Sequence, residues 1–214
     1  LTDLDLDIVL TGDRAAISGA GLFGGGELSL NGDLLLQQPE LRLAISGKRN
    51  KLLLPPGSEA EISQELQLVF SHGFLDLDGD IIVHEGRMEP DRLPEGSVDV
   101  STDVVEVDYA GNVLKEQRPF DMQLNVRVKI RDQFRVHARE IDSVVGGDLR
   151  LQQERGRPLQ LFGSLNVVGG EVRAYGQRLQ IKQGSVAFVG DPGNPELNLR
   201  AERDITLEQV RVGV

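Results

Sequence analysis

The sequence has no cysteine and no tryptophan, and aromatic residues make up only 4% of its 214 positions. The first absence excludes disulfides, thiolate metal sites and cysteine nucleophiles. It leaves the redox compartment open, because oxidising compartments do not require disulfides. The shortage of aromatics means that an interior of this size is filled almost wholly by Leu, Val and Ile, which is unusual for an ordinary β-sandwich. No apolar run approaches the roughly 18 residues of a membrane-spanning helix, and no stretch has the make-up of a signal peptide. Positive charge is scarce as well: 23 Lys and Arg stand against 34 Asp and Glu, a formal charge of -11. That sign repels nucleic-acid phosphates and anionic lipid surfaces at long range, so no nucleic-acid partner is expected. Leu1 stands where an initiator Met would, and the chain stops within the alternation Val210, Val212, Val214. Both lead to the expectation of a piece of a longer polypeptide.

Chemical equipment is missing too. Gly19-Ala20-Gly21-Leu22-Phe23-Gly24 matches G-x-G-x-x-G, but that motif holds a pyrophosphate only where a strand leads into a helix N-terminus. Gly25-Gly26 and an alternating strand follow, so a loop or strand bend is expected. Asp3, Asp5, Asp7 and Asp76, Asp78, Asp80 have the spacing of calcium-loop ligands. Ile8 and Arg14, and Ile81 and Arg87, occupy the places of that loop's glycine and final glutamate, so a solvated strand face is the favoured reading. His72, His84 and His137 form no H-x-x-x-H pair and read as surface residues. No G-x-S-x-G elbow or P-loop occurs, and the carboxylates are scattered. No catalytic residue, metal ligand or cofactor is assigned, and an enzyme is the least favoured class.

What is present is alternation at period two, which puts successive side chains on opposite faces of a strand. Phe120, Met122, Leu124, Val126, Val128 and Ile130 interleave with Asp121, Gln123, Asn125, Arg127, Lys129 and Arg131, and Phe134, Val136 and Ala138 continue the pattern. It recurs in Leu4, Leu6, Ile8, Leu10; in Leu41, Leu43, Ile45; in Leu66, Leu68, Phe70; in Val98, Val100; in Val105, Val107, Tyr109; and in Leu197, Leu199, Ala201. Asn31-Gly32, Asp78-Gly79, Gly111-Asn112, Gly146-Gly147 and Gly169-Gly170 read as hairpin turns. The glycines at 163, 170, 176, 184 and 190 predict strands only a handful of residues long. A capping-box pattern at Ser58 and Glu61 competes as a helix start, but the alternation after it favours a strand. Pro55-Pro56-Gly57 and residues 90–97 are rigid breaks too short for interdomain linkers, so one continuous structure over 1–214 is expected.

The fold class is therefore all-β: short, hairpin-linked strands in a long sheet. About 14 to 16 rungs at about 4.8 Å would extend it on the order of 70 Å. Such a sheet twists or curls, and it either closes to bury its apolar face or leaves a trough. Residues alone favour closure into a sandwich. One basic set departs from the acidic background: Arg127, Lys129, Arg131, Arg135, His137 and Arg139 lie on the polar side. It reads as a solvated face or guarded edge, with contact to anionic headgroups or an acidic partner as the sharper alternative.

Residues 159–203 carry a resemblance. Gly163-Ser164-Leu165-Asn166-Val167, Gly170-Glu171-Val172-Arg173-Ala174-Tyr175-Gly176-Gln177, Leu179-Gln180-Ile181, Gly184-Ser185-Val186-Ala187-Phe188 and Asn194-Pro195-Glu196-Leu197 resemble the C-terminal part of the TamB family, relatives of the AsmA-like proteins. Leu93-Pro94-Glu95-Gly96-Ser97-Val98 and Ser101-Thr102-Asp103-Val104-Val105 are similar to it as well. The resemblance implies a long, curled β-sheet forming an open trough, or β-taco, in a periplasmic protein anchored in the inner membrane by an N-terminal helix. It implies TamA, an outer-membrane barrel with periplasmic POTRA domains, as partner; an exposed sheet edge offers strand addition as a way of docking to it. It also implies roles in outer-membrane protein (autotransporter) assembly and in phospholipid transport.

On that reading the groove that faces lipid is lined by Phe120, Met122, Leu124, Val126, Val128, Ile130, Phe134, Val136, Leu165, Val167, Leu179, Ile181, Val186, Phe188, Leu197 and Leu199. Phospholipid acyl chains would lie there, drawn in by burial of about 0.8 kcal/mol per CH₂. The rival readings are a chaperone-like groove that holds nascent outer-membrane β-strands and a purely structural β-module.

Overall fold

A computed structural model of the chain describes residues 2–54, 57–89, 121–138, 140–174, 176–205 and 210–213. In chain order the strands are β1 (Thr2–Thr11), β2 (Arg14–Phe23), β3 (Gly26–Leu35), β4 (Glu40–Leu54), β5 (Ser58–Ser71), β6 (Phe74–Met88), β7 (Asp121–His137), β8 (Ile141–Gln153), β9 (Gln160–Ala174), β10 (Gln177–Gly190), β11 (Glu196–Ile205) and β12 (Val210–Gly213). They form one twelve-stranded sheet in sequence order, with β1 and β12 at its two edges, so the sheet does not close. The alternating segments make strands because each offers an aliphatic row to one face and a polar row to the other. The capping-box segment at Ser58 is likewise strand, the start of β5.

Every pairing is antiparallel except β6 with β7, which run parallel. Parallel neighbours cannot be joined by a tight hairpin, so this junction separates two meanders, β1–β6 and β7–β12. The expected strands around Val98, Val100 and Val105 to Tyr109 lie outside the described residues. So do the Gly111-Asn112 turn, the motifs at 93–98 and 101–105, Phe120, Arg139 and Tyr175.

Among the described residues the strands are longer than the sequence predicts. β7 runs for 17 residues and β9 for 15. Asn31-Gly32, Asp78-Gly79, Gly146-Gly147 and Gly169-Gly170 are not turns; they lie inside β3, β6, β8 and β9. The reason is crowding within the sheet. At Gly79 the backbone adopts φ 145°, and a Cβ there would run into the Glu65 carbonyl oxygen of β5. The hairpins turn elsewhere. Gly24-Gly25 (φ 57° and 83°) and His72-Gly73 (φ 52° and 79°) are two-residue loops with both central φ positive, the twist that matches flanking strands. The G-x-G-x-x-G match thus ends in the β2–β3 hairpin, as a strand and its bend.

Breaks in register form a band across the sheet. Extra residues fall between Gly47 and Asn50 on β4, at His84 on β6, between Ile130 and Phe134 on β7, at Val168 on β9 and at Lys182 on β10. A bulge bends its strand and increases local twist, so aligned bulges curl the sheet along one line. Among the described residues all substantial packing between strands is between neighbours in this sheet, and no second layer covers either face. The described residues do not form the closed sandwich favoured by the residues alone.

Candidate functional site: an uncovered apolar face

Residues directly opposite each other on paired strands share a face, so the register shows what each face carries. One row runs Leu30, Ile45, Leu66, Gly79, Val126, Leu151, Leu161 across β3 to β9. The next runs Leu43, Leu68, Leu77, Leu124. Further rows are Ile81, Val128, Leu149, Gly163, Phe188 and Val83, Ile130, Gly147, Leu165, Val186, Leu197. Beyond the bulges come Phe134, Val145, Val167, with Leu199 opposite Gly184, then Leu179 opposite Val172 and Ile181 opposite Ala201. Met122 pairs with Leu75, and Val136 with Met88.

The register therefore brings onto one face every described residue that the sequence places in the groove. Sequence reasoning left the β3–β6 half of this face, from Leu30 to Ile81, out of the proposed lining, although the same alternation marks it. Parity within one strand cannot say which strands are neighbours.

This face is only partly sealed. Ala60, Ile62, Val83, Phe134 and Val145 form a buried cluster along the bulge band, and Leu179, Ile181 and Ala201 form a second. Val126 is 3% exposed. Leu43, Leu68, Leu77, Leu124, Val128 and Phe188 are half-buried, while Leu197 is 63% exposed and Leu6, Ile8 and Leu10 on edge strand β1 are 47%, 57% and 68% exposed. Aliphatic surface left in water costs about 25 cal/mol per Å², so any apolar occupant is stabilised by covering it.

Two amides interrupt the apolar face at the bulge on β4. Asn50, opposite Ile62 and fully buried, donates from Nδ2 to the carbonyls of Phe23 at 3.0 Å and Glu27 at 3.1 Å. Gln64 lies opposite Gly47, where no Cβ crowds either amide. Asn50 Oδ1 and Gln64 Oε1 are buried without a hydrogen-bond partner. Sequence reasoning missed both residues, because an amide at one position of a strand carries no periodic signal.

The opposite face is polar and cross-linked. Asp80 accepts from Arg127 at 2.6 Å, Asp78 from Asn125 at 3.1 Å, and Asp76 from Arg155 at 3.1 Å, with Arg155 stacked over Phe74. The Asp76, Asp78, Asp80 series is thus a strand face with cross-strand partners. Arg135 grips Asp142 with two hydrogen bonds of 2.7 Å, which hold that carboxyl below its ordinary range against a smaller opposing effect of burial. His84 Nε2 lies 2.7 Å from Ser63 Oγ, so this histidine is tied into the sheet. The basic set is split: Arg127 and Arg135 are in ion pairs, and Arg131 lies in the β7 bulge.

Among the described residues a single-layer, open, mostly antiparallel sheet with an aliphatic face defines the class as an open, two-faced β-sheet protein. The family model of the TamB C-terminal domain matches residues 18–214, and the chain belongs to that family. It is 26% identical over 161 residues to the translocation and assembly module subunit TamB of Haemophilus influenzae; the match covers 71% of this chain and 12% of that protein. The chain thus spans a small part of the length of this relative.

Proposed function

We propose that the apolar face is a passive hydrophobic conduit in a translocation and assembly module, carrying phospholipid acyl chains between inner and outer membranes. The observation that supports this most is the uncovered aliphatic face running across β3 to β11 with no second layer among the described residues. Tails lie against Leu43, Leu68, Leu124, Val128 and Phe188, and headgroups stay at the wet margin. The gain of about 0.8 kcal/mol per CH₂ buried does not depend on headgroup, so selectivity is low. The groove is one continuous unit of a longer, periplasmic protein held in the inner membrane by an N-terminal helix. An edge strand meets TamA by strand addition, and through that contact the module supports outer-membrane protein assembly.

A photo-crosslinker at Leu68, on the apolar face, and at Gln67, next to it on the polar face, tests the reading in cells. The expected result is phospholipid adducts at 68 and not at 67. Polypeptide adducts alone at 68 would replace lipid with nascent outer-membrane strands as the cargo. Equal lipid labelling at both positions would reject the conduit.

A further inference from the structure

We infer a second binding site, on the polar face over β6–β9, for a phosphodiester anion carried on an apolar body. The site is a concavity of about 590 Å³ whose lining includes Ile82, Arg127, Lys129, Asp148, Arg150 and Phe162. That volume lies in the range of small-molecule sites, about 300–1,000 Å³.

Its charge arrangement is unusual for a sheet. Arg127 on β7 stands directly opposite Arg150 on β8, and like charges facing each other across a strand pair destabilise it. Asp80 takes up Arg127 at 2.6 Å. Among the described residues neither Arg150 nor Lys129 is in an ion pair, and Asp148 faces Lys129 in the register without closing one. The three cations of this concavity against Asp80 and Asp148 leave one net positive charge, in a chain whose formal charge is -11. A single anion seated between the two guanidiniums cancels it, and the planar Arg fork matches phosphate oxygens in a way a point charge does not.

The neighbours of this charge are apolar. Phe162 lies directly opposite Arg150, and Val189, 67% exposed, lies directly opposite Phe162. Ile82 faces Lys129 on the other side. Cations bordered by an aromatic ring and aliphatic side chains, on a face otherwise cross-linked by polar pairs, match a ligand with one anionic end and a short apolar stem. The charged residues of this site project from the other side of the sheet from the groove, and the two meet through the sheet at Ile81, Val128 and Leu149, which belong to the groove rows and also border the concavity.

The test is calorimetric titration of the chain and of Arg150→Glu with three probes: dihexanoylphosphatidylglycerol below its micelle concentration, dimethyl phosphate, and zwitterionic dihexanoylphosphatidylcholine. Arg150→Glu places a carboxylate opposite Arg127, so the fold is kept. The anionic lipid is expected to bind the wild type at one site beyond any it shares with phosphatidylcholine, and that additional site is expected to lose about tenfold or more in Kd with Arg150→Glu, the scale of one charge-assisted contact. Phosphatidylcholine, which reads out the groove, is expected to be unchanged by the substitution. Equal binding of the anionic lipid to both proteins, or none to the wild type, overturns the site. Dimethyl phosphate binding as tightly as the lipid overturns the apolar part of the assignment.

Discussion

Replacing Asn50 with alanine removes the amide that ties the β2–β3 turn to the bulge of β4. Two hydrogen bonds, to the carbonyls of Phe23 and Glu27, are lost, at about 1 kcal/mol each net, and the two carbonyl oxygens lose a buried donor at a further ~1 kcal/mol each. The substitution also removes the orphaned Oδ1, which returns ~1 kcal/mol, so the expected destabilisation is about 3 kcal/mol. Asn50→Asp keeps the shape but points an acceptor at two carbonyls in a fully buried position, and at neutral pH it costs more than about 3 kcal/mol. The folded-state pKa of that aspartate is raised above the unfolded value of about 3.9, so its penalty is absent below that value and grows as pH rises through the interval between the two. Urea denaturation at pH 4 and pH 7 reads the magnitude, and amide exchange locates it, with faster exchange at Lys51, whose N–H bonds to the Gly24 carbonyl. Asn50→Ala within about 0.5 kcal/mol of wild type, with unchanged exchange at Lys51, would refute the assignment of Asn50 as the clamp.

Three further outcomes are expected. Leu43→Arg, half-buried on the apolar face, keeps the fold to within about 1–2 kcal/mol because a long side chain reaches water. Val126→Arg, where the native side chain is 3% exposed, loses cooperative unfolding through a buried unpaired charge; equal stability of the two in thermal melts would mean the face is uniformly sealed or uniformly open. Gly79→Ala is destabilised by more than about 2 kcal/mol, since its φ of 145° is strained for alanine and its Cβ meets the Glu65 carbonyl. Gly169→Ala, with nothing near its Cβ, changes stability by less than about 0.5 kcal/mol in the same denaturant assay, and similar losses at both sites would contradict the crowding argument. Asp142, held low by Arg135, contributes stability above its unfolded pKa of about 3.9 that is lost as pH falls through the lower folded value. Its carboxyl carbon is expected to titrate below the ordinary aspartate midpoint by NMR and to return to it in Arg135→Gln.

Much of the site is legible in the amino-acid sequence, because side-chain parity is local. Met122 to Ile130 must share a face wherever β7 sits, and so must Leu197 and Leu199. Parity survives the bulges at Val168 and Lys182 because each expected segment, such as Leu165-Val167 or Leu179-Ile181, lies wholly on one side of them. The glycines mislead for an equally physical reason. Positive φ serves a turn, as at Gly24-Gly25, and equally an extended residue pressed against a neighbouring backbone, as at Gly79, and a sequence does not distinguish the two.

By itself, then, the sequence determined that this protein is two-faced β-sheet with an aliphatic side poor in aromatics. Tertiary structure alone decided that β6 and β7 pair in parallel, that Arg127 confronts Arg150, that Asn50 is buried, and that no second layer covers the aliphatic side among the described residues. Alternation is set by bonds between successive residues, whereas register and coverage depend on which distant strands meet.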